Sequence, residues 1–311
     1  MNKRDTLLSL VTSSTPPATI PAAFFMHFDP AYHQGQAAID KHLEFFRYTG
    51  MDFVKIQYEK PFPPIPGIQK PADWRTMPRY DRDFFAGQLG VIEGIVKAVK
   101  KEAVIVVTLY SPFMGAIHTV PDVTFIAHWQ QDPESVQQGM EIITDSMLLF
   151  ARECIKIGVD GFYHSTQGGE TGHDPALFEQ VIRPTDLAVM NEINERCPFN
   201  ILHVCDYRLP YDDFTPFLDY PGDVVNCPLE VGGKSITAQD AARLFNRPTM
   251  GGLERTGVLA TGTPDQVRQA AENVLKTAPE RFILAADCTV PGETPWDNLK
   301  AAIDTAHAHT K

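Results

Sequence analysis

Apolar positions along the chain follow two rhythms. Short, nearly continuous apolar runs at 22–28, 53–57, 103–109, 161–164, 200–204, 223–226, 249–253 and 281–286 predict buried strands. Longer segments between them carry apolar residues three and four positions apart. These predict helices at about 36–49, 81–101, 133–157, 175–197, 211–219, 237–245, 264–278 and 296–309. The spacing is plain in Val91, Ile92, Ile95, Val96 and Val99, and again in Ile142, Met147, Leu148 and Ala151. Thr237, Thr263 before Pro264 and Thr294 before Pro295 supply helix caps, since proline in a first turn loses no hydrogen bond.

Strand–helix units repeated along 311 residues predict one α/β domain, 1–311, folded as a (β/α)8 TIM barrel. A doubly wound open sheet also alternates, but it would carry a glycine-rich phosphate loop after its first strand, and none is found there. One segment breaks the rhythm. Between 60 and 79 stand Pro61, Pro63, Pro64, Pro66, Pro71 and Pro78, together with Trp74. Proline fixes the backbone without donating hydrogen bonds, so this is a long stiff loop after the second strand, either a candidate lid over the barrel mouth or a surface excursion with no contact to substrate.

Composition narrows the function classes. Hydrophobic residues make up 43% and charged ones 21%, an ordinary globular balance. With 27 Lys+Arg against 39 Asp+Glu the formal charge is −12, which argues against nucleic-acid partners because these need a basic stripe. No apolar run approaches the roughly 18 residues of a membrane span, so no membrane partner is expected. The segment from Met1 to Asp5 lacks signal-peptide character, and five cysteines do not read as a disulfide scaffold. A reducing cytoplasm with free thiols is the expectation.

A barrel gathers its chemistry at the C-terminal ends of its strands. There the sequence offers His27, Gln57-Tyr58-Glu59, Tyr110, His164, His203, Cys205, Asp206, Cys227 and Cys288. Residues i and i+2 of a strand share a face, so His203 and Cys205 present an imidazole and a sulfur to one place. Either residue alone reads equally as core packing. Joined by Cys288 at the end of the last strand, they make a set suited to Zn²⁺, with a fourth position left for substrate. Cys154 and Cys197 fall in predicted helices and read as packing residues, while Cys227 stays ambiguous. The tract Ala306-His307-Ala308-His309 reads as a solvated tail.

These residues carry a resemblance. The stretches 158–170 (GVDGFYHSTQGGE), 201–205 (ILHVC), 250–254 (MGGLE), 287–291 (DCTVP) and 294–299 (TPWDNL) resemble the uroporphyrinogen decarboxylase superfamily, itself a (β/α)8 barrel. Its decarboxylases hold a polycarboxylate tetrapyrrole with an arginine-rich first strand and an aspartate after the second. Here no arginine stands between Arg4 and Arg47, and Gln57-Tyr58-Glu59 lacks the aspartate. The other branch, zinc-dependent corrinoid methyltransferases, carries a His-x-Cys…Cys motif that His203, Cys205 and Cys288 match one for one. That resemblance implies methyl transfer between methylcobamide on a corrinoid protein and a thiol or folate-type acceptor. Cobalamin-independent methionine synthase adds a glutamate ligand, for which Glu230 is the candidate. His164, Gln167 and Glu170 are expected to contact substrate or orient a ligand, and His27, Tyr58 and Tyr110 to line the cofactor pocket. Decarboxylation and a non-catalytic corrinoid-binding subunit stand as the alternatives.

Overall fold

A computed structural model describes residues 2–13, 17–170 and 172–309. Its centre is a parallel sheet in which β1 (Phe53–Ile56), β2 (Val104–Tyr110), β3 (Gly161–Thr166), β4 (Ile201–Val204), β5 (Val224–Asn226), β8 (Thr249–Leu253) and β9 (Phe282–Ala286) lie in chain order. β6 (Glu230–Val231) and β7 (Lys234–Ser235) form a separate antiparallel hairpin. The sheet strands are buried on both faces, which is why their runs are apolar without alternation.

The first expected strand is an extended segment rather than a regular one. Ala22 bridges to Leu284 and Met26 to Val290, both parallel, while the Asp52 amide donates to Ala22 O at 3.0 Å. The segment thus fills the eighth position between β9 and β1 and curls the sheet into a TIM-barrel-type fold. It makes only scattered bonds, and Pro21 has no N–H to give.

Helices cover the outside, with Pro133–Ile157 and Ala238–Phe245 close to their predicted limits. The helix expected at 211–219 is only a short turn, Thr215–Phe217, and the one expected at 175–197 passes through a π-helical stretch, Phe178–Ile182. Helices Lys3–Thr12, Pro112–Thr119 and Asp122–Gln131 were not expected. Pro112 and Pro121 look like breakers in sequence, yet they open helices; the Ser111 hydroxyl caps the first by accepting from Met114 N at 3.1 Å.

The base of the barrel is tied together by charge. Asp160, buried ahead of β3, accepts from Arg4 Nη1 and Lys100 Nζ at 2.6 Å each and from the Ile105 amide at 2.9 Å. At the same end His307 Nε2 lies 2.7 Å from Asp52 Oδ2, so the first histidine of the tract is docked, while Ala308 stays exposed. Gly161 sits where a Cβ would come 1.7 Å from Phe199 O, so no larger residue fits. The proline-rich loop is pinned outside the barrel: Trp74 is fully buried and donates to His128 Nδ1 at 3.0 Å.

Candidate metal centre

All sheet strands are parallel, so their C-terminal ends open on one mouth. A cavity of about 750 Å³ lies there, within the size range of small-molecule sites. Its walls include Lys55 and Gln57 from β1 and its end, Thr108 and Tyr110 from β2, and Tyr163, Ser165 and Gln167 from β3 and its end. No residue of the 60–79 loop lines it, so the candidate lid lies elsewhere; helix Pro112–Thr119 and the 289–292 turn form that part of the rim.

His203, Cys205 and Cys288 converge in this cavity. Their ligand atoms all lie within 4.8 Å of one another, and His203 Nε2 is 3.3 Å from Cys288 Sγ. Tetrahedral zinc at ordinary bond lengths needs ligand–ligand spacings of about 3.5–4 Å, so a small closure would complete the set. All three side chains are buried. Cys288 donates a hydrogen bond to Cys205, which holds the Cys205 thiol well below its usual range and pushes Cys288 well above. The two-sulfur, one-imidazole donor set fits zinc, and its position on the cavity wall leaves one side open to a substrate.

Neighbours hold these ligands in place. Gln167 Nε2 donates to Cys205 Sγ at 3.6 Å, and Tyr211 Oη donates to Cys205 O at 3.0 Å. Arg255 Nη1 contacts Asp206 at 2.8 Å and Asp287 at 3.4 Å, while its amide donates to Asp287 Oδ1 at 2.8 Å. Each aspartate adjoins one of the cysteines, so a single guanidinium ties together the two loops that carry them.

The other expected site residues divide. Gln167, His27 and Tyr110 line the cavity. Tyr58 does not; it packs behind Tyr110, with ring centres 5.4 Å apart. His164 also lies off the cavity wall. Register pairs Ser165 with His203 but His164 with Leu202, so His164 shares the opposite face of the sheet. Burial pushes its pKa down to about 3, which leaves it neutral. Glu170 is buried off the cavity, accepting from the Gly168 amide and lying 3.1 Å from His173 Nδ1. Glu230 stands exposed on the β6–β7 hairpin, outside the ligand cluster. Cys227 is also outside it, and burial pushes its thiol up to about 12.

One residue was missed. Lys55 sits mid-strand in an apolar run, buried, with its Nζ donating to Gln57 Oε1 at 2.8 Å. The ammonium also lies 4.3 Å from the Tyr163 ring centre and 4.8 Å from that of Phe25. Its signal was a charge amid the apolar residues of β1. Burial pulls its pKa down to about 7, against the opposing pull of Cys288, Glu59 and Cys205.

That shift has a sign for stability. Below about pH 7 both folded and unfolded chains hold the proton, and the full cost of burying the charge is present; above it the folded chain sheds the proton first and the cost shrinks. Lys55→Met is therefore expected to be more stable than the parent at about pH 6, the gap narrowing by up to about 1.4 kcal/mol per pH unit above 7. Urea denaturation at several pH values reads this directly.

A uroporphyrinogen decarboxylase family model matches residues 47–309. The chain belongs to the uroporphyrinogen decarboxylase family. No curated protein sequence matches it significantly. Among solved structures, this family member is similar to a methyltransferase from Methanosarcina mazei, with a TM-score of 0.75, 15% identity and 98% of each chain covered. It is also similar to a B12-independent methionine synthase from Shewanella sp. W3-18-1 (TM-score 0.57, 12% identity, 94% of this chain and 96% of that one). A putative enzyme of the same kind from Listeria monocytogenes gives a TM-score of 0.57 at 12% identity, covering 94% and 97%. These likenesses establish the fold of this family member. No helix among its described residues is long and apolar enough to cross a membrane.

Proposed function

We propose that this family member is a zinc-dependent methyltransferase that moves a methyl group between a corrinoid carried by a separate protein and a small thiol. The observation that carries the reading is the convergence of His203, Cys205 and Cys288 on one wall of the mouth cavity. Zinc bound there would lower the pKa of an incoming thiol from about 8.5 and keep it as a thiolate at neutral pH. The chain's own residues fix the site: Gln167 donates to Cys205, and Arg255 ties the loops bearing both cysteines. The transfer is a displacement at carbon. A C–S bond forms, the cobalt–carbon bond breaks, its electron pair stays on cobalt, and the thiol proton leaves to solvent.

Charge weighs against the decarboxylase reading. Of the cations lining the cavity, Arg208 is paired with Asp122, and Arg255 with Asp206 and Asp287. That leaves Lys55, too little for a polycarboxylate tetrapyrrole. Mixing zinc-loaded protein with methylcobalamin and a panel of thiols and tetrahydrofolate, and following the cobalamin spectrum, tests the assignment. Demethylation by at least one thiol, lost on chelation, is expected. Uroporphyrinogen consumption indifferent to chelator would favour decarboxylation instead. Binding of a methylated corrinoid protein without turnover on any acceptor would point to a silent subunit.

A further inference from the structure

We propose that Lys55 and Gln57 form a carboxylate-binding subsite that selects short-chain mercaptocarboxylates as the methyl acceptor. The choice of substrate class and the charge balance at Lys55 rest on the zinc methyltransferase reading; the unpartnered Gln57 amide does not. Lys55 is a buried cation that makes no ion pair among the described residues. Zinc on Cys205 and Cys288 would leave those thiolates no spare charge with which to balance it, because two thiolates cancel one divalent ion. An uncompensated ammonium in a closed wall is costly, so Lys55 holds its proton fully, and the site is complete, only when an anion arrives with the ligand.

A second, independent observation points to the same place. Gln57 is buried and lines the cavity, yet its Nε2 has no partner among the described residues. Its orientation is set by its other end, because Gln57 Oε1 accepts from both Lys55 Nζ at 2.8 Å and Thr108 Oγ1 at 3.0 Å. The amide nitrogen is thus left as a donor, and β1 puts residues 55 and 57 on one face. One ammonium and one amide N–H₂ offer a cation and a neutral donor, which suits the two oxygens of a single carboxylate. A dianion would leave charge unmatched.

Distance sets the length of the ligand. The Tyr163 ring neighbours both subsite and metal centre: Lys55 Nζ is 4.3 Å from its centre, and the His203 ring centre is 4.7 Å away, tilted by 31°. The cation is therefore at most about 9 Å from the His203 ring. A short chain joining a carboxylate to a sulfur spans that gap; a long one does not. The apolar faces of Phe25 and Tyr163 beside the ammonium exclude water and strengthen its pull on an anion.

The test uses zinc-loaded full-length protein and three probes of similar size: 3-mercaptopropionate, 2-mercaptoethanol and cysteamine. Binding is measured by calorimetry with no methyl donor present. The parent is expected to bind 3-mercaptopropionate at least about tenfold more tightly than the neutral thiol, and cysteamine least well. Lys55→Met should remove that preference while leaving 2-mercaptoethanol affinity and zinc content unchanged, and Gln57→Leu should weaken it partially. Equal affinity for the three probes in the parent, or equal loss for all three in both variants, would overturn the proposal. A charge preference that depends on Lys55 in a protein unable to transfer methyl groups would keep the subsite and discard the reaction.

Discussion

Cys205→Ser and Cys288→Ser are each expected to abolish tight zinc binding and thiol methylation while leaving the fold in place. Both sulfurs sit on the cavity wall, so a hydroxyl of similar volume causes little repacking. The loss is in donor chemistry, because serine stays protonated at neutral pH and binds zinc poorly. Structural zinc sites bind with apparent energies of about 10–16 kcal/mol, so losing one of three protein ligands, taken as a third of that, costs about 3–5 kcal/mol, or a few hundredfold to several thousandfold in affinity. Cys227→Ser is the control. That cysteine is equally buried but outside the cluster, so metal content and turnover should stay near the parent's. Zinc analysis after dialysis, alongside the cobalamin assay, checks all three variants.

The second large effect is on stability. Asp160→Ala removes the carboxylate that joins Arg4, Lys100 and the Ile105 amide at the barrel base. The buried Ile105 amide then has no acceptor, while the partly exposed Arg4 and Lys100 keep only carbonyl partners, Ala103 O and Gly158 O, a loss of about 2–3 kcal/mol. Arg4→Ala should cost less, because Lys100 remains. Burial pushes the Asp160 pKa up, but hydrogen bonds from Arg4, Lys100 and Ile105 outweigh it and leave the group below its usual range. A carboxylate depressed in the folded chain contributes stability above its unfolded pKa of about 3.9 and loses it as pH falls through the lower folded value. The gap between parent and Asp160→Ala should therefore be constant from neutral pH down to about 4 and close below it. Urea titrations across that range read both effects, and the metal centre should be untouched.

The barrel was legible because parallel strands buried on both faces leave a strong apolar signature, and seven of the predicted runs are strands of one sheet. The convergence of His203, Cys205 and Cys288 was legible for a simpler reason. The i, i+2 rule places His203 beside Cys205, and the C-terminal ends of all barrel strands open on one mouth, so Cys288 after the last strand can reach them. What could not be read was the phase of one strand against its neighbour. His164 and Tyr163 are adjacent, and only the pairing of Ser165 with His203 decides that Tyr163 faces the cavity. Glu170 lies off the cavity because its carboxylate turns back to accept from the Gly168 amide, a local fold that residue type and spacing do not reveal. Of the two readings of the proline-rich loop, lid or surface excursion, the second holds, since Trp74 anchors it to the outer helices; proline content alone carries no direction. Lys55 was passed over because a single charge in a strand carries no period.

Zinc-edge X-ray absorption on the purified, zinc-replete protein tests the central claim most directly. The site described here predicts one zinc per chain with two sulfur neighbours near 2.3 Å and at least one nitrogen near 2.0 Å. Replacing either Cys205 or Cys288 should remove that shell. A zinc shell without sulfur, or no tightly held metal at all, would contradict it.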